Sequence, residues 1–521
     1  MREFLSTGKH DLCDQVPRTV QAKDVNRRAV FAASEVGLGR EGIKAICEIF
    51  DMPPPVNVTA WATHEHELLK QQRVAVQEML EDNRKELQQS DIENTKTPTA
   101  VSFDGTWAKR GFTSNHGVGF AISADTGKVI DYSIVSKSCN ACKLKLRNLS
   151  EAEYEEWRAT HDCPGDYEGS SPSMETACAK QIWERSKILD LEYRYMVSDA
   201  DSKAFNEIWD TYGVCDSCKT HHSLYKSSKE YKEWRDSEEY KKSEDEHTVG
   251  STGCRRVEKL DCINHVSKRM GKALRTVQEK RGKLPDGKPV GGRGVRLTTK
   301  TIQKLQNYYG KAIRNNVKKG ILSADEKSKA VKAMKREIKA GLYHSCKLPS
   351  KERHKFCPEN SWCSFKTTGR EVAPKSHHLD PVFCAHLEPI YDRLSEENLL
   401  RRCLGGYTQN SNESINSLVW SRCPKHKWFG RGRVEMAVVS AALQFSAGAT
   451  AKHQVMSLAG IPPGSSPMKA SSRRDSLRVQ KAEARSTEQY KRFRSATKKV
   501  AVRIEEDRKE AEGLTYGAGS F

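Results

Sequence analysis

The chain has 521 residues, of which 36% are hydrophobic and 30% are charged, and its formal net charge is +20. No segment approaches the roughly 18 consecutive apolar residues of a membrane span, and the opening M-R-E-F-L-S-T-G-K-H lacks the apolar stretch of a secretory signal. We therefore expect a soluble protein of about two to four domains. Its basic surface is either simply solvated or follows a phosphate backbone.

The first 95 residues are predicted to be helical. Apolar residues recur at Ile43, Ile46 and Ile49, and again at helical spacing between residues 61 and 87, with the break M-P-P-P between the two segments. We interpret this region as a packed pair of helices. A small helical domain that contacts DNA is the alternative.

From residue 99 the apolar residues alternate with small or polar ones, which indicates strands. Strands are predicted at residues 101–107, 117–123 and 129–135, followed by a helix at 174–189, a strand at 194–197 and a helix at 203–212. This order is the beginning of a ribonuclease-H-like sheet. The predicted fold class is therefore α/β, a ribonuclease-H-like core with helical and Cys/His-rich insertions and a helical N-terminal region.

Composition also predicts how the chain is divided. We expect a helical region at 1–95, the first three core strands at 96–137, a Cys/His insertion at 138–173, a core helix, strand and helix at 174–213, a polar Cys/His insertion at 214–256, a helical insertion with a second Cys/His cluster at 257–404, the final core helices at 405–460, and a basic tail, partly helical or disordered, at 461–521.

Three acidic residues stand where buried-looking segments turn polar. Asp104 interrupts V-S-F-D-G-T-W, Asp199 ends R-Y-M-V-S-D, and Glu413 lies just before an apolar helical stripe. Each has a purely structural alternative. Asp104 with Gly105 would suit a hairpin turn, Asp199 would cap the following helix, and Glu413 with Asn410 would form a loose capping box.

Taken together on the predicted strand order, the three carboxylates favour a shared metal site. Mg²⁺ takes hard oxygen ligands and only a few carboxylates, and it keeps water or phosphate in its other positions. Two such ions about 3.5–4 Å apart stabilise the attacking and leaving oxygens of an in-line displacement. The trio therefore predicts a site for phosphoryl transfer.

Cysteine and histidine are interspersed, and without a secretory signal this pattern favours free thiols and metal ligation over disulfides. A Cys-x₂-Cys turn supplies two tetrahedral zinc ligands, and a second pair closes the site. Cysteines and histidines packed in small insertions are the alternative. The candidate sets are Cys139, Cys142, His161 and Cys163; His344, His354, Cys357 and Cys363, with Cys346 as a substitute; and Cys215, Cys218, His221 and His222, with Cys254 further along.

Several motifs occur in order along the chain: V-S-F-D-G-T-W-A-K-R-G-F-T-S-N-H-G-V-G, D-T-G-K-V-I-D-Y, G-S-S-P-S-M-E, R-Y-M-V-S-D-A-D-S-K, C-I-N-H-V-S-K-R-M-G, L-Q-N-Y-Y-G-K-A-I-R and T-Q-N-S-N-E-S-I-N-S-L-V-W-S-R-C-P-K. From about residue 25 onward they resemble the Mutator-like transposase domain of animal mobile elements. The resemblance implies a DDE transposase that cuts DNA and joins strands with two Mg²⁺ or Mn²⁺ ions. It also implies double-stranded DNA as the partner, an oligomer of this chain and a nuclear location, with no membrane partner.

The resemblance assigns the acids in order. It places Asp104 on the first strand, Asp199 at the end of the fourth strand, and Glu413 on the helix after an inserted helical region. Asp201, the second acid of D-A-D, remains the alternative to Asp199. The family often has Gly-Asp-Gly-Asp where this chain has Ser-Asp-Ala-Asp, and Ala200 in place of glycine concerns the local turn, not the carboxylates.

Cys262 and His265, in C-I-N-H, match the Cys-x-x-His motif of the resembled family. The match implies a structural or DNA-contacting role near the active site, and a buried cysteine with a hydrogen-bonded histidine on one helix face is the alternative. Basic residues expected to contact phosphates are Lys268, Arg269, Arg275, Arg314, Lys425, Arg431 and Arg433.

Two other functions remain open at this stage. One is a domesticated DNA- or chromatin-binding protein that has kept the fold without catalysis. The other is a ribonuclease-H-like nuclease that does not transfer strands.

Overall fold

The computed structural model describes residues 18–88, 98–108, 114–161, 163, 165–199, 203–214, 219, 233, 254–280, 282–292, 294–318, 320, 322–359, 362–369 and 378–512. The chain divides into two compact units. The first comprises residues 1–33, 38–76 and 439–521, and the second comprises residues 34–37 and 77–438.

The described chain begins with helices and continues into a sheet. The first elements are α1 (Arg18–Glu35), α2 (Arg40–Ile49), α3 (Val58–Gln88), β1 (Ala100–Trp107), β2 (His116–Ser123), β3 (Val129–Ser136), α4 (Asn140–Asn148), α5 (Glu151–Thr160), α6 (Met174–Ile188), β4 (Tyr195–Ser198), α7 (Ala204–Ile208) and β5 (Glu258–Asp261). The later elements are helices: α8 (Ile263–Glu279), α9 (Thr299–Asn315), α10 (Ala324–Tyr343), α11 (Ser350–Arg353), α12 (Ser364–Thr368), α13 (Val382–Arg393), α14 (Glu397–Arg401), α15 (Asn410–Arg422), α16 (Arg431–Ala447), α17 (Lys452–Leu458), α18 (Ser465–Ser486) and α19 (Glu488–Glu512).

The strands form one mixed sheet of five strands in the order β3-β2-β1-β4-β5. β1, β2 and β3 are an antiparallel meander, whereas β4 pairs in parallel with β1, and β5 pairs in parallel with β4. Because parallel strands end at the same edge of a sheet, the C-terminal ends of β1, β4 and β5 meet. The predicted α/β class is confirmed, while β5 was not predicted from the sequence.

Alternation along β1 gives the strand two different faces. Val101 and Phe103 are buried in a core shared with α6, where the Phe103 ring lies edge-on to Trp183. Burying side chains of this size contributes roughly 1.5–3 kcal/mol each. The residues between and after them, Ser102 and Asp104, lie on the other face of the strand.

A second core in the same unit joins α8, α9, α10, α13 and α14. In α8 the buried residues include Ile263, Val266, Met270 and Leu274, which share one helix face. Gly310 of α9 lets the two helices approach closely, because an added Cβ there would lie 2.6 Å from the Ser267 hydroxyl. This packing fixes the beginning of α8 next to the end of β5.

The first unit is helical in its described residues. The Arg27 guanidinium donates to the Ala459 carbonyl at 2.7 Å, and the buried Gln72 amide donates to the Ser440 hydroxyl at 2.8 Å. The long helices α18 and α19 of the basic tail are mostly exposed where their side chains are described. No described helix combines the length and the apolar character that crossing a membrane would take.

Candidate active site and metal clusters

Asp104, Asp199 and Glu413 lie around one histidine. The Nδ1 atom of His265 is 3.8 Å from Asp199 Oδ1, and its Nε2 atom is 3.7 Å from Glu413 Oε1. Asp104 lies close enough to all three residues for their charges to change its pKa. The fold therefore brings the three predicted acids to the edge where β1, β4 and β5 end.

Asp104 is the most perturbed of the acids. Burial, followed by the charge of Glu175, raises the pKa of Asp104 to about 7. Glu413 and Asp199 act in the same direction, whereas His265 opposes them. A buried carboxyl whose pKa is raised by burial and by neighbouring negative charges favours a cation beside it.

Helix α15 docks on the outer face of β1 through hydrogen bonds that we call the polar ladder. Two strand residues advance about 6.6 Å and four helix residues advance about 6 Å, so residues at these spacings remain in register. The rungs of the ladder are Ser102 with Asn412, Asp104 with Asn416, and Thr106 with Trp420.

The first rung is the most buried. Asn412 is fully buried, and its amide donates to the carbonyls of Ser102 at 3.2 Å and Phe120 at 3.1 Å. The Ser102 hydroxyl donates to Asn412 Oδ1 at 2.5 Å. Because Glu413 follows Asn412 directly, this rung fixes the position of the third acid.

The second and third rungs hold the first acid and the end of its strand. Asn416 Nδ2 donates to Asp104 Oδ2 at 2.9 Å, and Trp420 Nε1 donates to the Thr106 hydroxyl at 2.9 Å. Asn416 Oδ1 is buried and lacks a hydrogen-bond partner among the described residues. An oxygen of this kind beside a carboxylate suits a water molecule or a hard cation.

Gln409 ties the sheet to α8. Its amide nitrogen donates to the Phe103 carbonyl at 2.7 Å, and its Oε1 lies 3.1 Å from His265 Nδ1. Its backbone N–H donates to Cys262 Sγ at 3.4 Å. One residue therefore fixes the strand, the cysteine and the histidine of the site together.

The Cys-x-x-His motif lies at the start of α8, with Cys262 at the N-cap position. The hydrogen bond with the Cys262 side chain raises the pKa of His265 to about 9, and Asp199 adds to this effect. Burial opposes ionisation of Cys262, but its hydrogen bonds with His265 lower the pKa of the thiol. A protonated His265 offsets the negative charge of the neighbouring acids.

The structure excludes the turn, helix-cap and capping-box roles that were the structural alternatives for Asp104, Asp199 and Glu413. Asp104 and Gly105 lie within β1, not in a hairpin turn. The helix after Asp199 has Lys203 as its N-cap residue. Helix α15 starts at Asn410 and has no side-chain cap, so the capping box is not formed. Asp201 lies outside the described residues.

Sequence reasoning missed several residues of this site. Gln409, Asn412 and Asn416 looked like ordinary polar residues of a helix, and their spacing of three and four was the available signal. Glu175, in the quoted motif G-S-S-P-S-M-E, begins α6 opposite Gly105, where an added Cβ would lie 2.5 Å from Glu175 Cγ.

Two groups of described residues have metal-ligand atoms that all lie within 4.8 Å of one another, and both are predicted Cys/His sets. Asp104, Asp199 and Glu413 do not form such a group, so their carboxylate oxygens are spaced more widely than the ligand atoms of the two Cys/His sets. Ligand sulfurs around a tetrahedral zinc ion, at about 2.3 Å from it, lie roughly 3.7 Å apart. Both clusters could therefore hold zinc.

The first cluster consists of Cys139, Cys142, His161 and Cys163. Cys139 Sγ lies 3.2 Å from His161 Nε2, and Cys142 Sγ lies 3.3 Å from Cys163 Sγ. The Trp157 ring stacks on His161 with 4.2 Å between ring centroids. The cluster closes the insertion that contains α4 and α5.

The second cluster consists of His344, His354, Cys357 and Cys363. Cys363 Sγ lies 3.2 Å from His354 Nδ1, and both cysteines are buried. The substitute ligand Cys346 is also buried but is not part of this group. The third set, Cys215, Cys218, His221 and His222, lies outside the described residues.

The predicted phosphate contacts are spread over several elements. Arg314 of α9 donates to Asn264 Oδ1 at 2.9 Å, and Asn264 donates to Asn410 at 3.0 Å, which places Arg314 beside the start of α15. Arg431 instead forms an ion pair with Asp166 at 2.7 Å. Lys268, Arg269 and Arg275 lie on α8, Lys425 lies after α15, and Arg433 lies on α16.

Comparison with protein families supplies the class of the protein. The family model of the Mutator-like transposase matches residues 3–244 and 235–363, which is most of the chain. The chain therefore belongs to the Mutator-like transposase family, which indicates a transposase-related function that involves DNA. Searches of curated proteins and of solved structures give no match. The matched residues include Asp104, Asp199, Cys262 and His265, whereas Glu413 lies beyond them and joins the site through the polar ladder.

Proposed function

We propose that this protein is a DDE-type DNA transposase with a ribonuclease-H-like core, which cleaves DNA at transposon ends and transfers the freed strand to target DNA. The observation that carries the proposal is the position of Asp104, Asp199 and Glu413 around His265, at the edge where the parallel strands end. Carboxylates held together by the fold are what a phosphoryl-transfer site with hard cations requires.

The donor set fits Mg²⁺ or Mn²⁺. Asp104, Asp199 and Glu413 offer carboxylate oxygens, and Asn416 offers a buried amide oxygen that lacks a partner among the described residues. Two divalent cations held there would activate the attacking oxygen and stabilise the leaving oxygen. The raised pKa of Asp104 means that its negative charge is poorly compensated, and cation binding would relieve that repulsion.

The proposed chemistry has two displacements at phosphorus. In the first, a water oxygen attacks a phosphodiester at the transposon end, the bond to the 3′ oxygen breaks, and that oxygen takes up a proton to give a free 3′-hydroxyl. In the second, this hydroxyl attacks a phosphodiester of the target and displaces the target's own 3′ oxygen. The polar ladder keeps Asp104 and Glu413 in fixed relation, so little reorganisation accompanies each displacement.

The remaining parts of the proposal concern binding and location. Double-stranded DNA binds along the basic surface through Lys268, Arg269, Arg275, Arg314 and Lys425, while Arg431 and Arg433 support this surface. The two Cys/His clusters hold structural zinc, since closed sites of nitrogen and sulfur ligands are typical of that role. The enzyme acts in the nucleus as an oligomer that pairs two transposon ends.

The test is an assay of Mg²⁺-dependent nicking and strand transfer on a plasmid that carries the element's terminal repeats. We expect Asp104→Asn, Asp199→Asn and Glu413→Gln each to lower both reactions at least about 1,000-fold. The matched controls Asp210→Asn and Glu184→Gln change exposed acids on α7's C-terminal side and on α6, and they should retain wild-type activity.

Three results would contradict the proposal. If all three variants cleave as well as the wild type does, the acid site is not catalytic. If the wild-type protein binds the plasmid ends and never cuts them with Mg²⁺ or Mn²⁺, the protein is a DNA-binding derivative without catalysis. Cleavage without strand joining would identify a nuclease.

A further inference from the structure

The segment between α15 and α16, residues 423–430, presents a tryptophan among basic residues, and we call it the basic tryptophan loop. Lys425, His426, Lys427 and Trp428 are four consecutive exposed residues. The Trp428 side chain is 56% exposed. Large aromatic side chains are mostly buried in folded proteins, so an indole left this open within a cationic segment suggests a ligand that is both anionic and aromatic.

The fold holds the start of this loop. The Lys427 N–H donates to the Pro424 carbonyl at 2.9 Å, which makes a tight turn at the tip. The Cys423 thiol donates to the Arg433 carbonyl at 3.6 Å and closes the base of the loop. The exposed residues are therefore presented from a defined turn.

The end of the loop is attached to the sheet. His116 Nε2 donates to the Phe429 carbonyl at 3.0 Å, and His116 Nδ1 lies 2.8 Å from the Ser136 hydroxyl. Arg431 forms its ion pair with Asp166, whose other oxygen accepts the N–H of Ser136 at 2.8 Å. Contacts with β2 through His116, and with the edge strand β3 by way of Asp166, thus fix the residues that follow Trp428.

The loop follows directly after α15, the helix that carries the third acid. Glu413 is in the first turn of α15, and the ten residues from there to Cys423 correspond to about 15 Å along a helix. The last rung of the polar ladder lies between them, and Lys425 Nζ lies 5.0 Å above the Trp420 ring. The distance along the helix spans only a few nucleotides of a DNA strand, since even the stacked strand of a duplex advances roughly 3.4 Å per nucleotide.

We propose that the basic tryptophan loop binds unpaired nucleotides of a DNA strand beside the reacting phosphate. Trp428 stacks on a base, and Lys425 and Lys427 contact phosphates. The inference rests on the proposed function and adds to it a binding site for single-stranded DNA. Unpaired strands are the favoured occupant because base faces are available for stacking only when the bases have left the duplex.

The charge of the loop argues against a protein partner. The residues next to Trp428 are basic or glycine-rich, K-H-K before it and F-G-R-G-R after it. Protein interfaces are depleted in lysine, whereas two lysines stand within three residues of this indole. A nucleic acid satisfies both the charge and the aromatic ring.

The test measures fluorescence anisotropy of a fluorescein-labelled 20-nucleotide strand and of its duplex, in buffer free of Mg²⁺ and Mn²⁺. We expect Trp428→Ala to weaken single-strand binding roughly 10- to 100-fold and to leave duplex binding nearly unchanged. Trp428→Phe should retain most of the affinity. The double variant Lys425→Ala/Lys427→Ala should reduce the slope of log affinity against log salt by about 1.4 for the single strand.

The control is Trp362→Ala, which removes an indole of similar exposure, 50%, whose Nε1 donates to Glu337 at 3.3 Å. Its affinity for the single strand should equal that of the wild type. Equal losses for single strand and duplex with Trp428→Ala, or an equal loss with Trp362→Ala, would overturn the inference. If the wild-type protein binds neither DNA, the proposed function itself fails.

Discussion

The acid site and the second Cys/His cluster are built in opposite ways. The acids come from β1, the end of β4 and α15, and the hydrogen bond between Asp104 and Asn416 joins positions 312 residues apart. The cluster takes its four ligands from residues 344–363, within one short segment. The difference suggests that the fold forms the acid site before any cation binds, whereas metal binding itself organises the cluster.

The largest expected effect concerns the second cluster. Cys363→Ala should remove one bound zinc ion per chain and lower the melting temperature by roughly 10 °C, because a closed structural site contributes its binding energy to folding. Metal content by mass spectrometry and thermal unfolding by circular dichroism measure the two effects. Chelation of the wild-type protein should reproduce the shift, with recovery on adding Zn²⁺ but not Mg²⁺.

A matched control separates metal loss from loss of packing. Cys403→Ala changes another fully buried cysteine, which lies in the helical core that includes α8, α9 and α10 and outside the cluster. It should keep the full zinc content and shift the melting temperature much less. Equal effects of the two variants would show that the cluster is only packed thiols and imidazoles.

The second prediction tests whether the fold alone forms the acid site. Asn412→Ala removes the amide that donates to the buried carbonyls of Ser102 and Phe120 and accepts from the Ser102 hydroxyl, and each lost hydrogen bond costs about 0.5–1.5 kcal/mol. Glu413 should shift with its helix, so the cleavage rate should fall roughly 10- to 100-fold. Urea unfolding and single-turnover cleavage are the measurements.

Asn410→Ala is the control for this variant. Asn410 is exposed on the first turn of α15, and its side chain accepts a hydrogen bond from Asn264. Its stability should remain within about 0.5 kcal/mol of the wild type. An Asn412→Ala protein as stable and active as this control would mean that the polar ladder does not position the acid.

The same contrast explains what the sequence could predict. Two of the three Cys/His sets were found because their ligands lie within about 25 residues of one another, and β1–β3 were found because their apolar residues alternate. The short strand β5, E-K-L-D, was missed because only its last residue is buried, and its pairing with β4 joins distant segments. The pattern of apolar and polar residues within a short segment does not show which distant strand it will pair with.

The acids were predicted as positions, but their support was not. Gln409, Asn412 and Asn416 are polar residues on a helix, and sequence alone gives such residues a solvent-facing role. The side chains of Asn412 and Asn416 turn inward because Ser102 and Asp104 on the facing strand form hydrogen bonds with them. Only the pairing of two elements more than 300 residues apart reveals this.

The smallest expected effect is a change in stability with pH at Asp104. Its pKa is raised from 3.8 to about 7, so between these values the folded protein keeps a proton that the unfolded chain releases. The folded state therefore loses stability as pH rises through this interval. The asparagine side chain of Asp104→Asn does not ionise, so this variant escapes the loss. Without Mg²⁺ it should be more stable than the wild type at pH 8. The expected difference is on the order of 1–2 kcal/mol, because water screens part of the interaction.

The wild type and Asp104→Asn are also compared at pH 4 and, at pH 8, in the presence of Mg²⁺. At pH 4 the difference between the two proteins should nearly vanish, because Asp104 is then protonated in the folded state. With Mg²⁺ at pH 8 the order should reverse, since a cation that binds only the folded wild type adds stability in proportion to its binding. Thermal unfolding of zinc-loaded protein at both pH values, with and without Mg²⁺, measures this. If the wild type is instead the more stable protein at pH 8 without Mg²⁺, the fold does not hold an uncompensated negative charge at Asp104. The acid site would then lack the repulsion that we expect a cation to relieve.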